Sequence, residues 1–248
     1  MRKIVCFHNP EEINGYLSNW YLSDFEIPDA CPRGAGKRKI DKTAKKEKRK
    51  MDKERFEKQV AFILEADKEK NILRQTHLSG HGRRENDAEH AWHMAMMIYL
   101  LKEYSNEEID VAKAMMMALI HDVVEIDAGD TYAYDTEGLK TQKEREEKAA
   151  DRIFGLLPED QQEELRGLFE EFEAYETPES RFAHAMDNFQ PLLLNNSNGG
   201  VDWREHQVVK SKVVGRQKKS ELGSREIWNY IEQIIEDNVK KGNIRNDE

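Results

Sequence analysis

The stretch "ALIHDVVEIDAGD", residues 118–130, sets His121 and Asp122 at the end of the apolar run Met115 to Ile120, with Glu125 and Asp130 close behind. Glu125 lies four residues after His121 and three after Asp122, on about the same face if the helix continues. Upstream, "RRENDAEHAWHMAMMIYLL" places Glu85, Asp87, Glu89, His90 and His93 before and inside a Met-rich segment. His90 and His93, three apart, share a helical face. Downstream, Asp187 is flanked by Phe182, Ala185, Met186, Phe189 and Leu192, where an unpaired carboxylate is costly unless a cation meets it. Pro191, four residues on, has no amide to bond the Asp187 carbonyl, so the helix is expected to open or kink there.

Two histidines and two aspartates from three such helices make an N2O2 ligand set, which suits Mn, Fe, Co, Ni or Zn better than Mg or Ca. An ion of that kind lowers the pKa of a water it binds and polarises a phosphoryl or ester oxygen. Glu125 and Asp130 are then left as supporting or acid/base carboxylates. For either histidine of the His90/His93 pair taken alone, a buried ring hydrogen-bonded to a carboxylate is the plainer alternative. Their carboxylate company is what favours a metal. His93 stands open between a supporting role and a core histidine, His184 reads as structural, and Asp127 has no assigned role.

These residues need helices to position them. From Met51 onward the pattern is helical nearly throughout, beginning with an apolar face of Phe56, Val60, Ile63 and Leu64. The expected helices are 51–73, 87–104, 107–123, 141–157, 159–175, 178–195, 203–215 and 224–241. Their punctuation is Ser79-Gly80-His81-Gly82, Asn106 as a cap, Gly129, Pro158, Thr177-Pro178, Asn198-Gly199-Gly200 and Gly223-Ser224. No convincing strand follows residue 40. The expected fold class is all-α, a helical bundle behind a short irregular or β-like N-terminal segment. In "VDWREHQVVKSKVVGRQ", Trp203, Arg204 and His206 either line a substrate or subunit contact or simply open a helix capped by Asp202. Two acidic amphipathic helices in 146–176 could pair with a second copy or pack within one chain.

The chain has 248 residues, 38% hydrophobic, enough for one substantial core. It has no run of about 18 apolar residues for a membrane span, and Met1 to Leu22 is too polar for a signal peptide, so a cytoplasmic location is expected. Cys6 and Cys31 have no ligand-like spacing, which leaves any metal to His, Asp and Glu. The net charge of −10 argues against nucleic acid, yet "KRKIDKTAKKEKRK", residues 37–50, carries +7 and leaves −17 elsewhere. That run reads as a solvated linker or frayed helix, with an anion-binding arm as the alternative, since no aromatic is interleaved for base stacking.

Two resemblances bear on these readings. The opening "CFHNPEEINGYLSNWYLSDFEI" resembles the start of the NADAR (YbiA-like) family, whose domains act on ADP-ribose-type or related N-glycosidic compounds. It covers about 27 residues, too few to bury a core, and implies a remnant without catalysis. The order His90, His121-Asp122, Asp187, together with "ENDAEH", "HDVVEIDAGD" and "AMDNFQPLL", resembles the metal-dependent HD phosphohydrolase superfamily and its 5′-deoxynucleotidase (YfbR-like) branch, over residues 53–244. That resemblance implies that His90, His121, Asp122 and Asp187 bind one divalent metal and that Glu125 and Asp130 take part in catalysis. It further implies that Arg74 of "NILRQTH" contacts the substrate phosphate, although Gln75 stands where an aromatic follows in the family. The expected organisation is 1–36 NADAR-like, 37–50 basic linker and 51–245 HD phosphohydrolase domain, in a homodimer without membrane contact. The expected activity is hydrolysis of a nucleoside 5′-monophosphate. Hydrolysis of a triphosphate or alarmone, and a non-catalytic module binding an anionic partner through the basic segment, are the alternatives.

Overall fold

The structure is a computed structural model that describes residues 42–129 and 138–247. The NADAR-like stretch and Asp130 lie outside the described residues. Residues 46–248 form one compact unit. Its elements run α1 (Lys42–Ala66), a 3-10 turn (Asp67–Asn71), β1 (Leu73–His77), β2 (Arg84–Asn86), α2 (Asp87–Leu101), α3 (Val111–Ile120) and α4 (Glu125–Ala128). They continue with α5 (Gly138–Phe154), α6 (Glu159–Ala174), α7 (Pro178–Ser197), α8 (Val201–Glu205), α9 (Lys210–Gln217), α10 (Ser220–Gly223) and α11 (Arg225–Lys240). The described chain is a helical bundle, as the periodicity predicts, with one small addition. Among the described residues, no helix is long and apolar enough to cross a membrane.

That addition is an antiparallel hairpin, β1 against β2, with Leu73 opposite Asn86 and His77 opposite Arg84. It overturns the expectation of a helix through residue 73 and of no strand after residue 40. The strands are five and three residues long and irregular in register, too short to print a period of two on the sequence. Helix α1 already runs from Lys42, inside the basic segment. Its expected core face is not the buried one: Phe56, Ile63 and Leu64 are 63%, 65% and 66% exposed, while Phe62 and Ala66 pack on the core. Period 3.6 tells which residues share a face, not which face finds a partner.

Helices α2 and α3 pack against each other and both lie on α7. Met94, Ile98, Met117, Phe182, Met186, Ile231 and Ile235 fill the space between them and α11. A second cluster of Ile120, Val123, Ile153, Phe154 and Phe169 joins α3 to α5 and α6, so the apolar faces of those acidic helices are used within one chain. The caps explain where elements start. Asn86 caps α2 in a reciprocal box with Glu89, and Thr177, with Pro178 at the first helical position, caps α7 in the same way with Ser180. Asn106, expected as a cap, instead bonds Glu221 O, Leu222 O and Arg225 N, and Asp110 caps α3. The expected helix 203–215 divides into α8 and α9, and Asp202 lies buried within α8 rather than capping it. α7 runs through Pro191 to Ser197 as one element.

Candidate metal centre

Four of the expected ligands converge. His90, fully buried on α2, places Nε2 3.0 Å from Asp187 Oδ1 on α7. His121, at the C-cap of α3, places Nε2 3.1 Å from Asp122 Oδ1 and 3.9 Å from Asp187 Oδ1. Ligand atoms of His90, His121 and Asp122 all lie within 4.8 Å of one another. The backbone delivers Asp122 and Glu125 by tightening after α3: Val123 N bonds Ile120 O and Glu125 N bonds Asp122 O at 2.9 Å, three-residue turns that end in α4.

Both histidines have their tautomer set from behind. His90 Nδ1 donates to Gln190 Oε1 at 3.0 Å, and His121 Nδ1 donates to Ala118 O at 2.9 Å, which leaves each Nε2 as the electron-pair donor. Gln190 is held in turn by its amide, which donates to Glu85 Oε1 at 2.6 Å and to His93 Nδ1 at 3.1 Å. His93 therefore supports the site through Gln190. The buried His121 Nε2 makes no hydrogen bond, an orphan that a cation would satisfy, so the donor set fits a late divalent metal.

The electrostatics make the same demand. Burial opposes charge on His121, but the Asp122 carboxylate beside it outweighs that and raises its pKa to about 9, so Nε2 takes a proton that a metal ion would have to displace. Burial works against the carboxylates too, yet Asp122 is held low by His121 and Arg74, and Asp187 well below the usual range by the neighbouring His90 and His121. His90 is pushed down by burial and by Arg74. Asp87, completely buried, is raised to about 7 by burial and by the Asp122 charge, with hydrogen bonds to Glu125 and Arg74 pulling the other way. Glu85 rises to about 7, again through burial first.

Arg74, on β1, reaches the centre: its guanidinium bonds Asp122 Oδ2 at 2.6 Å and Asp87 Oδ1 at 3.1 Å, and these carboxylates hold its pKa up against burial. A cleft of about 270 Å³ opens here, lined among others by Arg74, Glu125, Glu173, Asp187 and Arg216. Of the residues singled out in "VDWREHQ", Trp203 is a core side chain and Arg204 bonds Gly199 O and Asn243. His184 Nε2 donates to Phe172 O at 2.8 Å and its ring stacks on the Phe172 ring, at the cleft wall. Asp127 pairs with Arg152, which also reaches Glu65, and so ties α4 to α5 and α1. The sequence reading noted Asp87 without a role of its own and missed Gln190 and Arg216. Gln190 is three residues after Asp187, a same-face spacing that was there to be read.

A helical bundle whose core helices bring His, His-Asp and Asp to one point is the arrangement of a metal-centred hydrolase family, and residues 66–228 match the HD domain family model. The chain belongs to the HD domain family. It is 32% identical over 111 residues to a human protein named 5′-deoxynucleotidase HDDC2, which spans 45% of this chain and 53% of that one. A Dictyostelium discoideum protein of the same name is 31% identical over 128 residues, 49% of this chain and 67% of its own. The chain thus matches about half the length of the first of these curated relatives. A crystal structure described as a predicted metal-dependent phosphohydrolase from Magnetospirillum magnetotacticum MS-1 superposes with a TM-score of 0.74 at 46% identity, over 77% of this chain and 96% of that chain.

Proposed function

We propose that this chain is a metal-dependent phosphohydrolase that releases phosphate from a small nucleotide, with a (deoxy)nucleoside 5′-monophosphate as the preferred substrate. The observation that carries the reading is the convergence of two histidine Nε2 atoms and the Asp122 and Asp187 carboxylates beside the Arg74 guanidinium. The names of the human, Dictyostelium and Magnetospirillum relatives support it. In this reading His90, His121, Asp122 and Asp187 hold one divalent ion, Mn, Co, Fe, Ni or Zn. When bound, the ion supplies positive charge toward phosphate oxygens and acidifies water.

The chain's own groups do the rest. Arg74 holds phosphate oxygens through its planar, permanently charged fork, and Arg216 adds a second positive charge to the cleft. Glu125 and Asp130 are the carboxylates that move protons. Glu125 lies against Asp87, whose pKa burial raises to about 7, and a carboxyl group that keeps a proton in such surroundings is suited to protonating a departing 5′ oxygen. Gln75 beside Arg74 bears on selectivity for base and sugar, not on the metal. The domain proposed for this work is 51–245, preceded by the basic segment 37–50 and the NADAR-like stretch 1–36. A cytoplasmic setting suits a nucleotide substrate.

A homodimer suits the surface: Trp92, Met96, Tyr99 and Leu100 form an exposed apolar stripe on α2. Light scattering should show Trp92→Glu as a monomer with unchanged helical content. For the activity, the metal-loaded protein is assayed against nucleoside mono- and triphosphates and an alarmone, beside Glu125→Ala. We expect deoxynucleoside monophosphates to be cleaved best, and Glu125→Ala to keep its metal while losing about 10²–10⁴-fold in turnover. Equal turnover by wild type and Glu125→Ala would remove Glu125 from the chemistry, and cleavage confined to triphosphates would overturn the substrate.

A further inference from the structure

A second group of ligand-type side chains lies outside the centre described above: His77, His81 and Asp202. His77 ends β1, His81 sits in the turn before β2, and Asp202 belongs to α8. His77 Nδ1 is 2.8 Å and His81 Nε2 3.5 Å from the same oxygen, Asp202 Oδ1, and the two imidazole rings stack with centroids 4.4 Å apart. Around a tetrahedral ion with bonds of about 2.0–2.1 Å, neighbouring ligand atoms stand roughly 3.3 Å apart. The observed separations fall on either side of that value.

The group is built, not incidental. Asp202 is buried, 6% exposed, and the turn is clamped by Asn198 at the end of α7. The Asn198 amide donates to His77 O at 3.2 Å and Leu78 O at 3.1 Å, while its Oδ1 accepts from His81 N at 2.8 Å. His81 is held with φ of +53°, a left-handed backbone that a Cβ-bearing residue adopts at a cost. A single histidine–aspartate hydrogen bond, which His77 already makes, needs no strained second ring aimed at the same oxygen. Two imidazoles and a carboxylate, with a fourth position left for water, are a donor set for a late first-row divalent ion.

We propose that His77, His81 and Asp202 form a second metal site, for zinc or a neighbouring divalent ion such as nickel or cobalt. It pins the hairpin to the α7–α8 corner. Since β1 also carries Arg74 and α7 carries Asp187, an ion there braces both sides of the catalytic cleft without entering it.

The test is zinc titration of chelator-stripped, tag-free, full-length protein against a competing chromophoric chelator. Wild type is expected to bind two equivalents, and His81→Asn one, because asparagine tolerates the left-handed backbone but withdraws the imidazole. His121→Asn, which weakens the first centre, should retain the second equivalent, and its melting temperature should rise with zinc; adding His81→Asn should abolish both effects. If His121→Asn does not fold, the comparison of wild type with His81→Asn decides alone. Equal zinc stoichiometry in wild type and His81→Asn, with affinities within a factor of three, would overturn the proposal. Loss of the first centre alone would be read in His121→Asn and leaves this result distinct.

Discussion

At the scale of single residues, the centre depends on which nitrogen each histidine presents. Ala118 O and Gln190 Oε1 take the Nδ1 protons of His121 and His90, so both Nε2 atoms face Asp187 and are the nitrogens a metal ion would meet. Gln190 also satisfies Glu85 and His93, and replacing it by leucine strips partners from the buried His90 and Glu85 and the half-buried His93 at once. Gln190→Leu should weaken metal affinity by about 10–100-fold, measured by competition with a chelator, while far-UV circular dichroism stays unchanged. An unchanged affinity would mean that His90 keeps its tautomer unaided. The candidate ligands could be picked out in the sequence because His and Asp inside apolar runs have a cost that must be met. The pairing of Asp87 with Arg74 and the place of Arg216 could not be, since they depend on where β1 and α9 come to rest, and nothing in a run such as "SKVVGRQ" says which cleft its arginine reaches.

At the scale of elements, the caps at Thr177-Pro178 and Ser224 were legible because side-chain chemistry and backbone need coincide within four residues. The hairpin and the orientation of α1 were not, because both are settled by partners far along the chain. The 3-10 turn after α1 buries Glu69, whose pKa rises to about 8 through burial first and then the charge on Asp122. A folded-state value above the unfolded one means that the native protein holds an extra proton between pH 4.5 and 8, so this group makes stability fall as pH rises through that window. Glu69→Gln should remove that decline, raising thermal stability at pH 8–9 by about 1–3 kcal/mol relative to wild type and little at pH 4. Parallel melting curves of the two proteins across pH would refute this. Gly223, ending α10, has Arg181 O in the space a Cβ would need. Gly223→Ala should force α10 off α7 and cost about 1–3 kcal/mol in urea unfolding.

At the scale of the whole molecule, α2, α3 and α7 do two jobs: their apolar faces make the core, and their polar side chains bring Asp187 against His90 and His121, beside Asp122. The acidic net charge suits neither job alone, and within the cleft it is answered by Arg74 and Arg216, which a cation would join. The central claim, that this centre turns over phosphate esters only with a divalent ion in it, is tested most directly by titrating cobalt into chelator-stripped protein and following phosphate release from a deoxynucleoside 5′-monophosphate. The account predicts no release without cobalt, a rise that saturates as the centre fills, and a loss of at least about 10³-fold in Asp122→Ala at every cobalt concentration. Release that ignores cobalt, or that Asp122→Ala retains in full, would contradict it.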